Sequence, residues 1–194
     1  MGTMPDLAAT IAPHLDPDPK PEAAPGDRLA AVLALLVGDE PTVLFTERAA
    51  ALSRHAGEVS FPGGLQDPDD DGLIATALRE THEELGIEPS AVDLVGALRP
   101  IHTFVSGILV TPFVGMLDVV PPLTVSEAEI SRLIEVPVRV LAAAEEEREL
   151  REAGGATWRG WWYPVSEATI WGATGSMVHQ LIELLRKEAS WVVT

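Results

Sequence analysis

The sequence predicts an α/β protein built on a mixed β-sheet with helices on its faces. Three observations predict it. Short apolar runs bounded by Gly, Asp and Pro turns recur along the chain. Two segments, Leu73–Leu85 and about Gly175–Lys187, carry helical period. Strands and helices mix without strict alternation, which points to a mixed sheet rather than a purely parallel one.

The chain has 194 residues, a length suited to one domain with one core. Hydrophobic residues are 46% and charged residues 22%, so disorder is not the main state. There is no cysteine, which excludes disulfides, Cys-based zinc sites and a cysteine nucleophile. The formal charge of −17 argues against a nucleic-acid partner. An anionic substrate would need cations brought to the site.

In chain order, residues 1–27 read as an acidic arm with six prolines, which allows a short helix around Leu7–Leu15. No basic-then-apolar export signal opens it. The main domain is expected over 28–194. Ala30–Val37 and Thr42–Thr46 flank the turn Gly38-Asp39-Glu40-Pro41 and read as a hairpin. Glu58–Phe61 reads as a brief strand ending at Pro62-Gly63-Gly64. Two glycines there mark special backbone angles or a close approach. Leu73–Leu85 is a helix whose apolar arc is Ile74, Ala77, Leu78, Thr81 and Leu85, stopped by Gly86. Leu94–Leu98 and Ile108–Leu117 read as strands. The uncharged stretch Pro100–Leu117 has 18 residues, near the lower limit for a membrane span. Its prolines, glycines and polar residues instead suggest two strands and a loop. No membrane partner and a cytoplasmic location are therefore expected.

Ser126-Glu127-Ala128-Glu129 has capping-box spacing, so a short helix is expected after it. Val136–Val140 is strand-like but contains Pro137. Ala142–Ala153 reads as a charged, exposed helix or turn, with Glu145–Glu149 as a solvated face. The five tryptophans Trp158, Trp161, Trp162, Trp171 and Trp191 follow. Such residues more often serve core or lid than a base-stacking platform. The helix Gly175–Lys187 closes the pattern.

The chemistry concentrates in Arg79-Glu80-Thr81-His82-Glu83-Glu84-Leu85-Gly86-Ile87. With Glu80 at zero on the helical wheel, Glu84 falls near +40° and Glu83 near −60°, at about 100° per residue. Three carboxylates thus share one stripe, and like charges at i,i+4 destabilise a helix unless compensated. Hard divalent cations favour carboxylate oxygens, and Mg²⁺ is commonly held by carboxylates together with substrate phosphates. An arbitrary E-x-x-E-E is most often only a solvated acidic face. His82 falls about 200° from Glu80, off the stripe. No H-x-x-E-H or H-E-x-x-H spacing is present, and neither Ser60 nor Ser126 has a supporting triad pattern.

The context favours the metal. The stretch from Gly63-Gly64 to Gly86-Ile87 resembles the Nudix box, G-x5-E-x7-R-E-U-x-E-E-x-G-U, with U a bulky aliphatic residue. Arg79-Glu80, Glu83-Glu84 and Gly86-Ile87 match in place. Thr81 stands where the box has an aliphatic residue, and the glycine pair lies one residue further upstream than usual. Asp70 keeps the box distance from Gly64, while Asp71 keeps it from Arg79. Upstream, Leu44-Phe45-Thr46-Glu47-Arg48 and Gly57-Glu58-Val59-Ser60-Phe61-Pro62-Gly63-Gly64 resemble the extended signature of the coenzyme A pyrophosphatase branch. Ser53 replaces that branch's usual basic residue, with Arg54 beside it. Glu135-Val136-Pro137 and Ile170-Trp171-Gly172-Ala173-Thr174 also look like pieces of the branch.

The resemblance implies a Nudix fold, an α/β/α sandwich around a mixed sheet. It implies metal-dependent hydrolysis of the diphosphate bond of coenzyme A or a derivative, giving 3′,5′-ADP and 4′-phosphopantetheine or its acyl form. Mg²⁺ or Mn²⁺ would be held by Glu80 and Glu84, with Glu83 as ligand or water-orienting base and the Gly64 carbonyl as a further ligand. Arg79 would orient the carboxylates. Arg48, Arg54 and Gly63 would meet the substrate. A carboxylate from outside the box is also expected. Three rivals remain: a Nudix hydrolase for ADP-ribose or an NDP-sugar, a non-catalytic Nudix-fold ligand-binding module, and an interaction domain with an acidic face.

Overall fold

The computed structural model describes residues 4–49, 57–103, 107–151 and 157–194. Arg54 lies outside them. The central strand β1 (Arg28–Val37) is an unbroken apolar run from its second residue, Leu29, because both of its faces are covered. Its alternate residues split between two cores. Ala30, Val32, Ala34 and Leu36 point into one, and Ala31, Leu33, Leu35 and Val37 into the other.

β1 makes the expected hairpin with β2 (Thr42–Arg48), pairing Leu36 with Val43 and Val37 with Thr42. The chain then passes through β3 (Val59–Ser60), on the edge of β2, to β4 (Gly63–Leu65), which pairs antiparallel with the other end of β1. Next come α2 (Gly72–Leu85), β5 (Asp93–Ala97), β6 (Ile101–Thr103) and β7 (Ile108–Leu117). β7 runs parallel to β1 along its whole length, and β5 and β6 pair antiparallel with β7. β8 (Ile130–Pro137) closes the far side of β2. Among the described residues this is an eight-stranded mixed sheet. Helix α2 packs on one face. On the other lie α1 (Met4–Ile11), α3 (Val138–Ala144) and α4 (Gly172–Glu188), with a small sheet of β9 (Glu146–Arg151), β10 (Thr157–Pro164) and β11 (Thr169–Ile170). That is the predicted α/β/α sandwich.

The early segment joins the fold. Leu7, Ile11 and Leu15 are buried in the core under α4, and Asp16 exchanges both backbone hydrogen bonds with Ala97 (3.0 and 2.7 Å). No helix of the described residues is long and apolar enough to cross a membrane.

Two local expectations are corrected. No helix follows Ser126. Its carbonyl takes the N–H groups of Glu129 and Ile130 in a turn, and Ile130, Ile134 and Val136, at even spacing and buried, then belong to β8. Within the helix or turn expected over 142–153, the helix ends at Ala144 and Glu146–Arg151 form β9, while 152 and 153 lie outside the described residues. Its charged run propagates as a strand because β10 offers a pairing edge, matching Glu146 with Trp162 and Arg148 with Gly160. Glu145 is not part of a solvated face. Its side chain is 10% exposed, accepts a 2.7 Å hydrogen bond from Tyr163 Oη, and pairs with His179 and Arg186, fastening α4 to β10.

Candidate active site

The site forms where β4 meets α2. Gly63 has φ +144°, and a Cβ there would sit 2.4 Å from the Ala31 carbonyl oxygen on β1. Only glycine permits that approach. A Cβ on Gly64 would sit 2.4 Å from the carboxyl carbon of Glu80. The glycine pair therefore brings bare backbone against the acidic helix. Gly63 donates its N–H to Glu84 Oε2 at 3.2 Å.

The loop before α2 settles the choice between Asp70 and Asp71. Asp70 takes the structural place and is buried, its side chain 5% exposed. Its carboxylate receives Arg79 Nε and Nη2 at 2.8 and 2.9 Å, Thr76 Oγ1 at 2.8 Å and the Asp67 N–H at 2.9 Å. The bidentate hydrogen bonding from Arg79 holds this carboxyl far below its ordinary range, despite burial. Asp71 merely precedes the helix, exposed and without a side-chain cap.

Arg79, so braced, spreads its remaining donors over the stripe. Nη1 meets Glu80 Oε1 at 2.9 Å and Glu83 Oε2 at 3.1 Å, and Nη2 reaches the Leu65 carbonyl at 3.3 Å. The three stripe carboxylates are graded in depth. The Glu83 side chain is 54% exposed and that of Glu80 18%, while Glu84 is 3% exposed. The helix is rotated slightly from the sequence-based arc. Thr76 and Glu84 turn inward, while Ile74 and Leu78 are only half-buried. Gly86 caps the helix at φ +72°, and His82 faces away toward the Ile87 carbonyl.

Depth sets the electrostatics. Burial pushes the Glu84 carboxyl up to about 8, with Glu80 and Glu129 pushing the same way and the Gly63 N–H and Arg48 opposing. Burial also raises Glu80, against the pull of Arg79, and Glu83 and Glu129 add to the rise. Glu129 is thus a fourth acidic group of this neighbourhood, 45 residues beyond Glu84 in the chain. It stands just before β8, where its carbonyl accepts the Ala49 N–H at 2.8 Å. Its capping-box spacing from Ser126 suggests a helix start, and nothing in the sequence ties it to the stripe. Arg48 sits at an irregularity ending β2, and its Nε is buried with no hydrogen-bond partner among the described residues.

Among the described residues, no three His, Asp or Glu side chains already converge on one metal position. Glu80 and Glu83 lean on Arg79, and Glu84 leans on Gly63. The donor set nevertheless fits a hard cation. It includes Glu80 and Glu84, whose ionisation is disfavoured by burial and by neighbouring carboxylates, set against the bare backbone of Gly64, where a side chain would strike Glu80. A cleft of about 850 Å³ opens elsewhere, between residues 14–21, the β5–β6 connection and the end of α4, and it contains none of these groups.

A model of the NUDIX domain matches residues 27–181. The uncharacterized Nudix hydrolase NudL of Photorhabdus laumondii is 35% identical over 184 residues, spanning 94% of this chain and 98% of its own. The NudL protein of Yersinia pestis (strain Pestoides F) is 37% identical over 166 residues, spanning 83% and 81%. Among solved structures, a C. elegans Ap4A hydrolase binary complex superposes with a TM-score of 0.54 at 16% identity, covering 82% of this chain and 98% of that one. The NUDIX domain of Shewanella oneidensis NrtR, complexed with ADP ribose, gives 0.52 at 18% identity, covering 88% and 92%. These two likenesses show the fold, while the family match and the NudL proteins show the lineage. With the Arg79-centred carboxylate stripe on α2 and the glycine pair against it, the chain belongs to the Nudix hydrolase family.

Proposed function

We propose that this Nudix hydrolase cleaves the diphosphate bond of coenzyme A or a derivative, giving 3′,5′-ADP and 4′-phosphopantetheine or its acyl form, with Mg²⁺ or Mn²⁺ as cofactor. Nudix hydrolases act on nucleoside diphosphate derivatives. The narrower substrate rests on the signature Leu44–Gly64. The observation that carries it is Arg48, whose buried Nε has no hydrogen-bond partner among the described residues and stands beside the acidic stripe, near enough to act on Glu84. A guanidinium kept without a hydrogen-bond partner at Nε next to a catalytic cluster suits an incoming phosphate.

Glu80 and Glu84 are the proposed metal ligands. Glu83, the exposed member, is ligand or water-orienting base, and the Gly64 carbonyl and Glu129 are further oxygen donors. The cation supplies charge neutralisation for the diphosphate and acidification of the attacking water. The protein's own part is positional. Asp70 locks Arg79, and Arg79 in turn fixes Glu80 and Glu83. The Gly63 N–H holds Glu84 and stands at the substrate side of the loop. Arg48 meets a substrate phosphate, and Arg54 is proposed for the same task. The cytoplasm is the proposed location.

Product analysis with coenzyme A, ADP-ribose and NADH, with and without Mg²⁺, tests this. Cleavage of coenzyme A to 3′,5′-ADP, abolished by EDTA, is expected. Rapid cleavage of ADP-ribose with coenzyme A untouched would overturn the branch and leave the family. Full turnover in excess EDTA would overturn the metal.

A further inference from the structure

The cleft beside α4 has a charge unlike the rest of the chain. The sequence carries 13 Lys and Arg against 30 Asp and Glu. Four of those cations line this one cleft, Lys20, Arg99, Arg186 and Lys187, against three acids, Asp16, Glu183 and Glu188. Lys20 and Lys187 are the only lysines in the sequence. The volume of about 850 Å³ is in the range of small-molecule sites.

The walls are held in place. Gln180 of α4 clasps the main chain of Arg99, accepting its N–H at 3.0 Å and donating Nε2 to its carbonyl at 3.2 Å. The facing wall includes the segment 17–23, anchored at both ends. Before it, Asp16 exchanges backbone hydrogen bonds with Ala97. After it, the Asp27 carboxylate accepts the Ala24 N–H at 2.9 Å and meets His102 Nε2 at 3.0 Å. Pro17, Pro19 and Pro21 stiffen the chain between these anchors.

The acids of the lining are occupied. Glu188 pairs with His14 at 3.2 Å and with Lys187 at 3.0 Å, Glu183 meets His179 at 3.4 Å, and Asp16 accepts the Asp18 N–H at 3.0 Å. Arg186 is spent on Glu145 and on the Ala142 carbonyl. Two cations are not spent. The Arg99 guanidinium has no hydrogen bond or ion pair among the described residues, since both bonds to Gln180 use its main chain. Lys20 pairs with Asp18 alone, and those side chains are 83% and 76% exposed, a setting in which an ion pair adds little. Pro19, Pro21, Leu98, Pro100 and Leu184 supply apolar lining.

We propose that this cleft is a binding site for a small organic phosphate monoester, separate from the hydrolytic site. Arg99 meets the phosphate through its fork of N–H donors, and Lys20 adds a second charge from the facing wall. The apolar lining takes the carbon part of the ester, which inorganic phosphate lacks. A nucleoside monophosphate and a phosphorylated pantetheine share this chemistry. Occupancy of the cleft does not depend on which diphosphate the acidic site cleaves.

The test is an NMR titration of the full chain in EDTA. It follows the backbone amides of Arg99, Gln180 and Lys187 in the cleft and those of Gly63 and Gly64 at the acidic site. The probes are AMP, 4′-phosphopantetheine and inorganic phosphate, with adenosine and pantetheine as phosphate-free controls. At least one of the two esters should shift the cleft amides saturably, and the tighter of them names the source of the phosphate. It should bind roughly 10-fold more tightly than inorganic phosphate, because burying its carbon part adds apolar contact. Arg99→Ala should weaken it roughly 10-fold, the worth of one charge-assisted hydrogen bond, and Lys20→Ala about 3-fold. Thermal melts of both variants should match wild type, since neither side chain braces the fold. Arg48→Ala should leave the cleft titration unchanged. Shifts confined to Gly63 and Gly64 overturn the site. So does unchanged affinity in a folded Arg99→Ala, or binding of adenosine and pantetheine as tight as that of their phosphates.

Discussion

Glu84→Gln should stabilise the metal-free protein at alkaline pH while destroying its activity. The carboxyl is 3% exposed, and burial lifts it from 4.5 to about 8. Between these values the folded chain keeps a proton that the unfolded chain releases, so stability falls as pH rises and the full cost is reached above the folded value. Each pH unit costs about 1.4 kcal/mol, and across this window the ceiling is roughly 5 kcal/mol. The neutral amide escapes that cost and keeps an oxygen for the Gly63 N–H. Relief of even half the ceiling raises Tm by about 5–10 °C for a chain of this size, at about 2–4 °C per kcal/mol. Thermal melts in EDTA at pH 5 and pH 8.5 check it. The variant should exceed wild type at pH 8.5, and the gap should nearly close at pH 5, close to the unfolded value. Adding Mg²⁺ at pH 8.5 should raise the wild-type Tm and move the variant less, because a bound cation replaces the proton. An equal gap at both pH values, or no gap at pH 8.5, refutes the reasoning.

The other expectations follow from the same geometry. Glu80→Gln and Glu84→Gln should each lower turnover by about 10²–10⁴ in steady-state assays without unfolding the chain; wild-type rates in both would remove them from the machinery. Asp70→Asn should cost about 1–3 kcal/mol in denaturant titration and also lower kcat, because it halves the grip on Arg79 and leaves a donor pointing at a guanidinium. Retained stability and activity would show that Arg79 positions itself. Arg48→Ala should raise KM for coenzyme A roughly 10-fold, and much less for dephospho-coenzyme A if the 3′-phosphate is the group it meets. An equal loss on both substrates in a protein with an unchanged melt would assign Arg48 elsewhere.

The local signals in the sequence were sufficient for much of this. The β1–β2 hairpin follows from two apolar runs around Gly38–Pro41. Helix α2 follows from its period and from the Gly86 stop, and the proximity of Glu80, Glu83 and Glu84 follows from 3.6 residues per turn. These features depend on residues within a few positions of one another. The failures share a cause in the opposite sense. The strand β9 differs from the helix or turn that the sequence suggests because its charges carry little period, and the edge of β10 selects extended backbone there. Glu145 looks solvent-bound in a run of acids, but Tyr163, His179 and Arg186 converge on it from β10 and α4.

The sequence by itself determined the family, the layered mixed sheet and the acidic stripe, because periodicity and motif spacing are encoded along the chain. Only the tertiary structure decided which of two adjacent aspartates holds Arg79. It also decided that Glu84, rather than Glu83, is the buried carboxylate, and that Glu129 and Arg48 share the stripe's field. Those outcomes depend on desolvation and on charges separated by tens of residues. Both are fixed only when β2, β4 and the approach to β8 close around one face of α2.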